Sequence, residues 1–423
     1  MSDPKRNGPT AQEYIEQYSK YWGGRLEGIE GMGYMFIEKD GEGPFVIDTE
    51  GRKVMDFFVA GGVFNLGHKN PVIKAEYLKA VEEEDFGTFF WPSEAKGELM
   101  ATMARTAPTE RLTCSLGAVT GSEAVDEALK LARGATGRYE ILYAKHAYHG
   151  HTGLSLTMMA ADDMRSWAEP LVPGFRSFDF DDASSLAAII SNRTAAVILE
   201  PVQTDWSGRK SADPEFWQEV RRLCDENGAK LIIDEVITGM GRLGTVWGCE
   251  ALGIDPDAIC VGKGFSGGAV PMAGVICTKE MLEFWGANPY RSVSSYAWSN
   301  VGCRTTKKAI EETERLLPQA LKVGDLLEQV ILDSVEKYPG YIDSLERTGL
   351  IFSIKLNEDK FNALEAFGGM WENNVNIYPS SQHGPIVKVM PPLIFTEEHV
   401  GIFVEAWDKT MAAAEGGGHQ QWF

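Results

Sequence analysis

The sequence predicts an α/β protein with a large domain, a mainly parallel sheet between helices, and a smaller α+β domain at the C-terminal end. Three observations predict it. Short continuous apolar runs recur between about residues 110 and 280: Glu140-Ile141-Leu142-Tyr143, Ala196–Leu199, Lys230–Ile233 and Ala258–Val261. Helical stretches such as Glu123–Arg133 and Pro214–Asn227 separate them. Strands apolar on both faces and spaced by helices belong to a parallel sheet covered on both sides. Finally, residues 337–423 alternate strand and helix patterns again after a long amphipathic segment at 305–336.

The elements follow in order. Residues 1–60 form an N-terminal segment, polar and partly helical up to 30, with aromatics at Tyr14, Tyr18, Tyr21 and Trp22. Phe45–Asp48 and Lys53–Asp56 flank Glu50-Gly51, a hairpin pattern. Residues 61–310 are assigned to the large domain and 311–423 to the small one, with the break placed at 305–315.

Composition narrows the function. The 423 residues are 44% hydrophobic and 24% charged, the balance of a globular chain rather than a disordered or fibrous one. With 40 Lys plus Arg against 61 Asp plus Glu, the formal charge is −21. Such a surface repels phosphate backbones and anionic lipid, so neither nucleic acid nor membrane is expected as a partner. Six scattered cysteines without a CxxC pair, and no apolar leader before Tyr14, fit reduced thiols in a cytoplasmic protein.

In an open parallel sheet the ligand sits beyond the carboxyl ends of the strands. Three polar groups fall there: Glu200 with the following Gln203 and Asp205, then Asp234-Glu235, then Lys263 in Gly262-Lys263-Gly264. Several motif matches fail on context. Leu231–Glu235 resembles a magnesium-binding strand, yet no G-x-x-x-x-G-K-[ST] loop accompanies it. Gly262–Gly267 spells G-x-G-x-x-G, and Gly264–Gly268 spells G-x-S-x-G around Ser266. Both motifs require a helix to begin there, whereas Pro271 and the apolar run Gly274–Cys277 follow. A serine hydrolase using Ser266 is therefore a remote alternative. His146, His149 and His151 do not have the spacing of a known structural zinc site.

Lys263 fits a different chemistry. A lysine between two glycines at a strand end, once desolvated, forms a Schiff base with an aldehyde cofactor such as pyridoxal 5'-phosphate. That cofactor needs a carboxylate at its pyridine nitrogen, which Asp234 could supply. It needs a phosphate cradle at a helix N-terminus, which Thr120-Gly121-Ser122 before Glu123–Arg133 could form. It also needs an aromatic over the ring, for which Tyr148 is placed.

These residues resemble the class III aminotransferases, fold-type I pyridoxal-phosphate enzymes of the ornithine and ω-amino acid kind. The likeness begins near Gly31-Met32-Gly33 and runs through Leu66–Pro71, Thr120–Ala124 and Tyr148-His149-Gly150. It is most specific over Leu231–Gly244 and Ala258–Pro271, and returns at Pro391-Pro392-Leu393. The resemblance implies that Lys263 is the Schiff-base and proton-shuttling lysine and that Asp234 is the pyridinium partner. It implies further that Val236 lies under the ring, Tyr148 stacks on it, and Gly121 and Ser122 hold the phosphate. Ser295 stands where the family usually has a threonine that reaches the phosphate from the other subunit, which implies a homodimer with the active site at the interface. The N-terminal segment is implied to pack on the small domain.

Departures concern the substrate. Lys388 occupies the place of a carboxylate-binding arginine three residues before Pro391-Pro392, and Asp205 that of the arginine's glutamate partner. The two either form a shortened pair or Lys388 faces solvent. His151 replaces a further arginine, and His149-Gly150-His151 also resembles the glutamate-1-semialdehyde aminomutase branch. Trp91, with Phe89 and Phe90, lies where relatives line the substrate entrance, or else forms interface core. The implied reaction moves an amino group between an amine or amino acid and a carbonyl acceptor. Aminomutase, racemase or epimerase, decarboxylase and lyase chemistries share the fold and cofactor.

Overall fold

A computed structural model describes residues 10–31, 36–87, 91–159, 165–203, 212–286, 288–379 and 385–418. The chain opens with two helices, Ala11–Tyr21 and Arg25–Gly31, followed by β1 (Glu38–Glu42), β2 (Phe45–Asp48) and β3 (Lys53–Asp56). The hairpin expected around Glu50-Gly51 is β2–β3, which pairs antiparallel.

The central sheet comprises β4 (Cys114–Ala118), β5 (Glu140–Ala144), β6 (Phe175–Phe178), β7 (Thr194–Leu199), β8 (Lys230–Asp234), β9 (Ala258–Val261) and β10 (Ala273–Cys277). Their order is β4-β10-β9-β8-β7-β5-β6. All of β5, β7, β9 and β10 is buried, as continuous apolar runs demand. Each fully buried Ile, Val or Leu contributes about 1.5–3 kcal/mol. The neighbours from β9 to β6 pair parallel, but β10 runs antiparallel to both β4 and β9. The reason is length: only the stretch from Gly262 to Met272 joins β9 to β10, too little for the helical crossover that a parallel return requires.

The helix after β4 spans Gly121–Thr136, with the Thr120 hydroxyl accepting from the Glu123 N–H and Gly137 ending it at φ 67°. Pro214–Asn227 starts on a proline and ends at left-handed Gly228. A third sheet, ordered β11-β12-β15-β14, holds β11 (Ile342–Thr348), β12 (Ile351–Leu356), β14 (Tyr378–Pro379) and β15 (Ile386–Val389). The intervening β13 (Val375–Asn376) instead pairs parallel with β3, completing the N-terminal sheet. Phe57 of the N-terminal stretch packs edge-on against Phe395 and Phe403. The stretch at 305–315, where the sequence pattern suggested a break, lies inside one helix, Asn300–Lys337. Among the described residues no helix is long and apolar enough to cross a membrane.

Candidate active site

Five strand-end segments meet in one cavity, lined by Gly121, Ser122, Tyr148, His149, Gly150, Glu200, Val202, Asp234, Val236, Ile237, Thr238 and Lys263. Lys263 opens a single 3-10 turn, Lys263–Ser266, and holds φ at +48°. This left-handed backbone is unfavourable for a residue with a Cβ and is typical of a functional constraint. The flanking glycines are needed for close approach. A Cβ on Gly262 would stand 3.2 Å from the Gly121 Cα, and one on Gly264 only 2.7 Å from the Gly62 carbonyl oxygen. The Lys263 Nζ lies 5.7 Å from the centroid of the Tyr148 ring.

Asp234 ends β8 and is 5% exposed. Its Oδ2 is 2.8 Å from His149 Nδ1, and its Oδ1 accepts from the Val236 N–H at 3.0 Å. Because a carboxylate only accepts, His149 Nδ1 is the donor. His149 Nε2 is buried and has no partner among the described residues. The Tyr148 N–H donates to Glu200 Oε2 at 3.0 Å, which ties the β5 loop to the end of β7. Next to Asp234, Glu235 accepts from the Thr238 hydroxyl and from the Gly248 and Cys249 N–H groups. Burial nevertheless pushes its carboxyl above the usual carboxylate range.

Ser122 and Gly121 form the first turn of Gly121–Thr136, whose N–H groups have no intrahelical acceptors and carry the positive end of the helix dipole. The Ser122 Oγ accepts from the His151 N–H at 3.2 Å. Gly150 permits this contact, since at φ 109° a Cβ there would fall 2.0 Å from that Oγ. Val236 packs on Gly121, where a Cβ would sit 2.9 Å from Cγ1.

The structure thus brings together six of the residues singled out in the sequence: Gly121, Ser122, Tyr148, Asp234, Val236 and Lys263. His151 is exposed at the rim, its ring edge-on to Tyr148 at 5.4 Å. Ser295 and Trp91 do not line the cavity. Trp91 is 68% exposed in a separate groove with Val293, Ser294 and Trp298, and Ser295 is exposed in the adjoining turn. Lys388 is fully buried on β15, opposite Ser353 and Tyr378, which corrects the solvent-facing alternative. Asp205, Phe89 and Phe90 lie outside the described residues. Ser266 is fully buried and bonds Val270 O at 2.5 Å, so its hydroxyl is committed to the local turn rather than exposed on an elbow. No group of three His, Cys, Asp or Glu side chains among the described residues is arranged to hold a metal. Sequence reasoning missed His149 as the partner of Asp234. It appeared only in the histidine cluster and within the family-like Tyr148-His149-Gly150 and His149-Gly150-His151 stretches, none of which points to Asp234, 85 positions away.

The donor set fits pyridoxal phosphate. A primary amine, a buried oriented carboxylate, an aromatic face and an anion-binding helix start surround one space. The fold and this site define a fold-type I pyridoxal-phosphate enzyme. The family model described as aminotransferase class-III matches residues 30–411. An uncharacterized aminotransferase of Archaeoglobus fulgidus is 35% identical over 92% of this chain and 91% of its own length. Among solved structures, a transaminase from the marine bacterium Virgibacillus superposes with a TM-score of 0.87 at 22% identity, covering 97% of this chain and all of the other. The ornithine aminotransferase of Toxoplasma gondii ME49 superposes with a TM-score of 0.85 at 21% identity, covering 97% of each. The chain belongs to the class-III aminotransferase family, and it is a pyridoxal-phosphate-dependent aminotransferase.

Proposed function

We propose that this aminotransferase exchanges an amino group between an amine or amino acid and a carbonyl acceptor through Lys263, as a cytoplasmic homodimer. The supporting observation is the convergence of Lys263, Asp234 and the Gly121-Ser122 helix start on one cavity. When bound, pyridoxal phosphate supplies an aldehyde carbon and an electron-withdrawing ring. Lys263 Nζ would hold that carbon at rest and would carry the substrate proton during the exchange. Asp234 would face the ring nitrogen, and His149 Nδ1 and the Val236 N–H fix the direction of its carboxylate. Tyr148 would cover one ring face and Val236 the other. Gly121 and Ser122 would receive the phosphate at the helix start.

The dimer is supported by an exposed apolar face. Trp91, Tyr290, Val293 and Tyr296 are each 45% exposed or more, and a patch of that kind marks an interface. Ser295 in the same segment then reaches the phosphate of the partner subunit. For the substrate, His151 stands exposed beside Tyr148 at the rim, Trp91 would contribute only across the dimer interface, and Lys388, buried on β15 and outside the cavity lining, would act on an acidic substrate at a distance, as a point charge rather than the bidentate fork of an arginine. An acidic donor should lose more activity than a neutral amine in Lys388→Met, and equal losses would make Lys388 structural.

Visible absorption of the cofactor-loaded protein, followed while amine donors are added without an acceptor, tests the whole reading. Conversion to the pyridoxamine form with at least one donor is expected in the wild type and not in Lys263→Ala. Equal conversion in that variant removes Lys263 from its role.

A further inference from the structure

Asp56 and His68, twelve positions apart, meet at 3.0 Å between Asp56 Oδ2 and His68 Nε2, and both side chains are buried. Between them the chain passes through four successive left-handed residues: Val59 (φ 49°), Ala60 (50°), Gly61 (66°) and Gly62 (105°). Two of the four carry a Cβ, and Val59 is also β-branched, so this strap does not adopt its shape unaided. Asp56 supplies the restraint. Its Oδ1 accepts from the Phe58 N–H at 3.0 Å, the Val59 N–H at 2.9 Å and Asn376 Nδ2 at 3.0 Å. His68 donates to the other oxygen and stacks on Phe64 at 4.0 Å, fixing the far end of the strap.

The strap lies against the lysine. A Cβ at Gly61 would stand 3.5 Å from Lys263 Nζ and 3.9 Å from the Phe58 ring. The Gly62 carbonyl oxygen presses on Gly264, the residue after the lysine, and Gly62 also faces the backbone of Ile237 in the loop after Asp234. The strap is therefore wedged between the loops that carry the amine and the carboxylate, with a bare α-carbon turned toward the amine.

We propose that Asp56 and His68 are positioning residues for the aminotransferase reaction. Acting through the strap, they hold Gly61 toward Lys263 so that the volume beside the amine stays open to an incoming amine substrate. Neither side chain lines the cavity, and the proposal rests on the reading of Lys263 given above.

The test compares full-length wild type, His68→Ala, His68→Gln, Gly61→Ala and Lys263→Ala. In apo-protein, the rate of pyridoxal phosphate attachment is measured by borohydride trapping, and the modified peptide is identified by mass spectrometry. In loaded protein, kcat and KM are measured separately for propylamine and for 1-phenylethylamine. His68→Ala should slow attachment and raise KM about tenfold, the loss of one hydrogen bond to a charged group. His68→Gln, whose amide can still donate to Asp56, should recover most of both. Gly61→Ala keeps both clamp side chains while adding left-handed strain at φ 66° and a methyl 3.5 Å from Lys263 Nζ, and should slow 1-phenylethylamine more than propylamine. Wild-type attachment and KM in His68→Ala, or no rescue by glutamine in a folded variant, overturn the proposal. Should His68→Ala not fold, wild-type behaviour of Gly61→Ala overturns it instead. Undiminished attachment in Lys263→Ala would show that the reading of the lysine failed rather than that of the clamp.

Discussion

The cavity around Lys263 and the face around Trp91 are built in opposite ways. In the cavity, Asp234 is 5% exposed and its oxygens are taken up by groups of the same chain. On the face, Trp91 and Tyr296 are 68% and 69% exposed, and Ser295 is exposed between Ser294 and Tyr296. The difference teaches that the two tasks of a transferase mature separately. The groups proposed to hold the cofactor and move protons are fixed by strand ends inside one sheet. Trp91 and Ser295, proposed to complete the site, sit on surface that a single chain leaves open.

Substitutions can break that contrast. Lys263→Ala should lower single-turnover rates by roughly 10⁴-fold or more with an unchanged far-ultraviolet spectrum. Asp234→Asn should keep bound cofactor yet lose roughly 10²–10³-fold in kcat; near-normal kcat would mean the carboxylate does not serve the ring. His149→Ala removes one hydrogen bond to that carboxylate, and a loss of roughly 10- to 150-fold is expected from the about 1.5–3 kcal/mol such a bond contributes. The surface should answer differently. Val293→Asp should shift the protein toward monomer in light scattering, and its activity should fall on dilution. Trp91→Ala should change KM by no more than a few-fold, and a collapse of kcat there would erase the distinction between the two regions.

Legibility in the sequence follows the range of the forces involved. β5, β7, β8 and β9 were readable because burial on both faces leaves an unbroken apolar run, and the residue after each run then falls at the ligand edge. The antiparallel sense of β10 was not read, although the short Gly262–Met272 connection contained the reason. His149 was seen as a weak metal candidate and as part of a family-like segment, but not as the partner of Asp234, because that contact exists only once β5 and β8 lie in one sheet. For Lys388 the sequence left open a shortened pair with Asp205 or exposure to solvent. Lys388 is buried instead because β15 lies between β12 and β14 with its second face also covered. Ser266 shows the converse, a literal motif whose serine the fold commits to Val270.

The pairing of β13 with β3 carries a consequence for how the molecule is made. Asp56 receives its amide donor from Asn376, 320 positions later. At about 5–20 residues per second on the ribosome, roughly 16 to 64 s separate the synthesis of the two. During that interval the N-terminal sheet lacks its fourth strand, and the strap beside Lys263 lacks one of its donors. A nascent chain halted before residue 376 can hold every group proposed to bind the cofactor and still present an unfinished seat, so competence should arrive late in translation and abruptly.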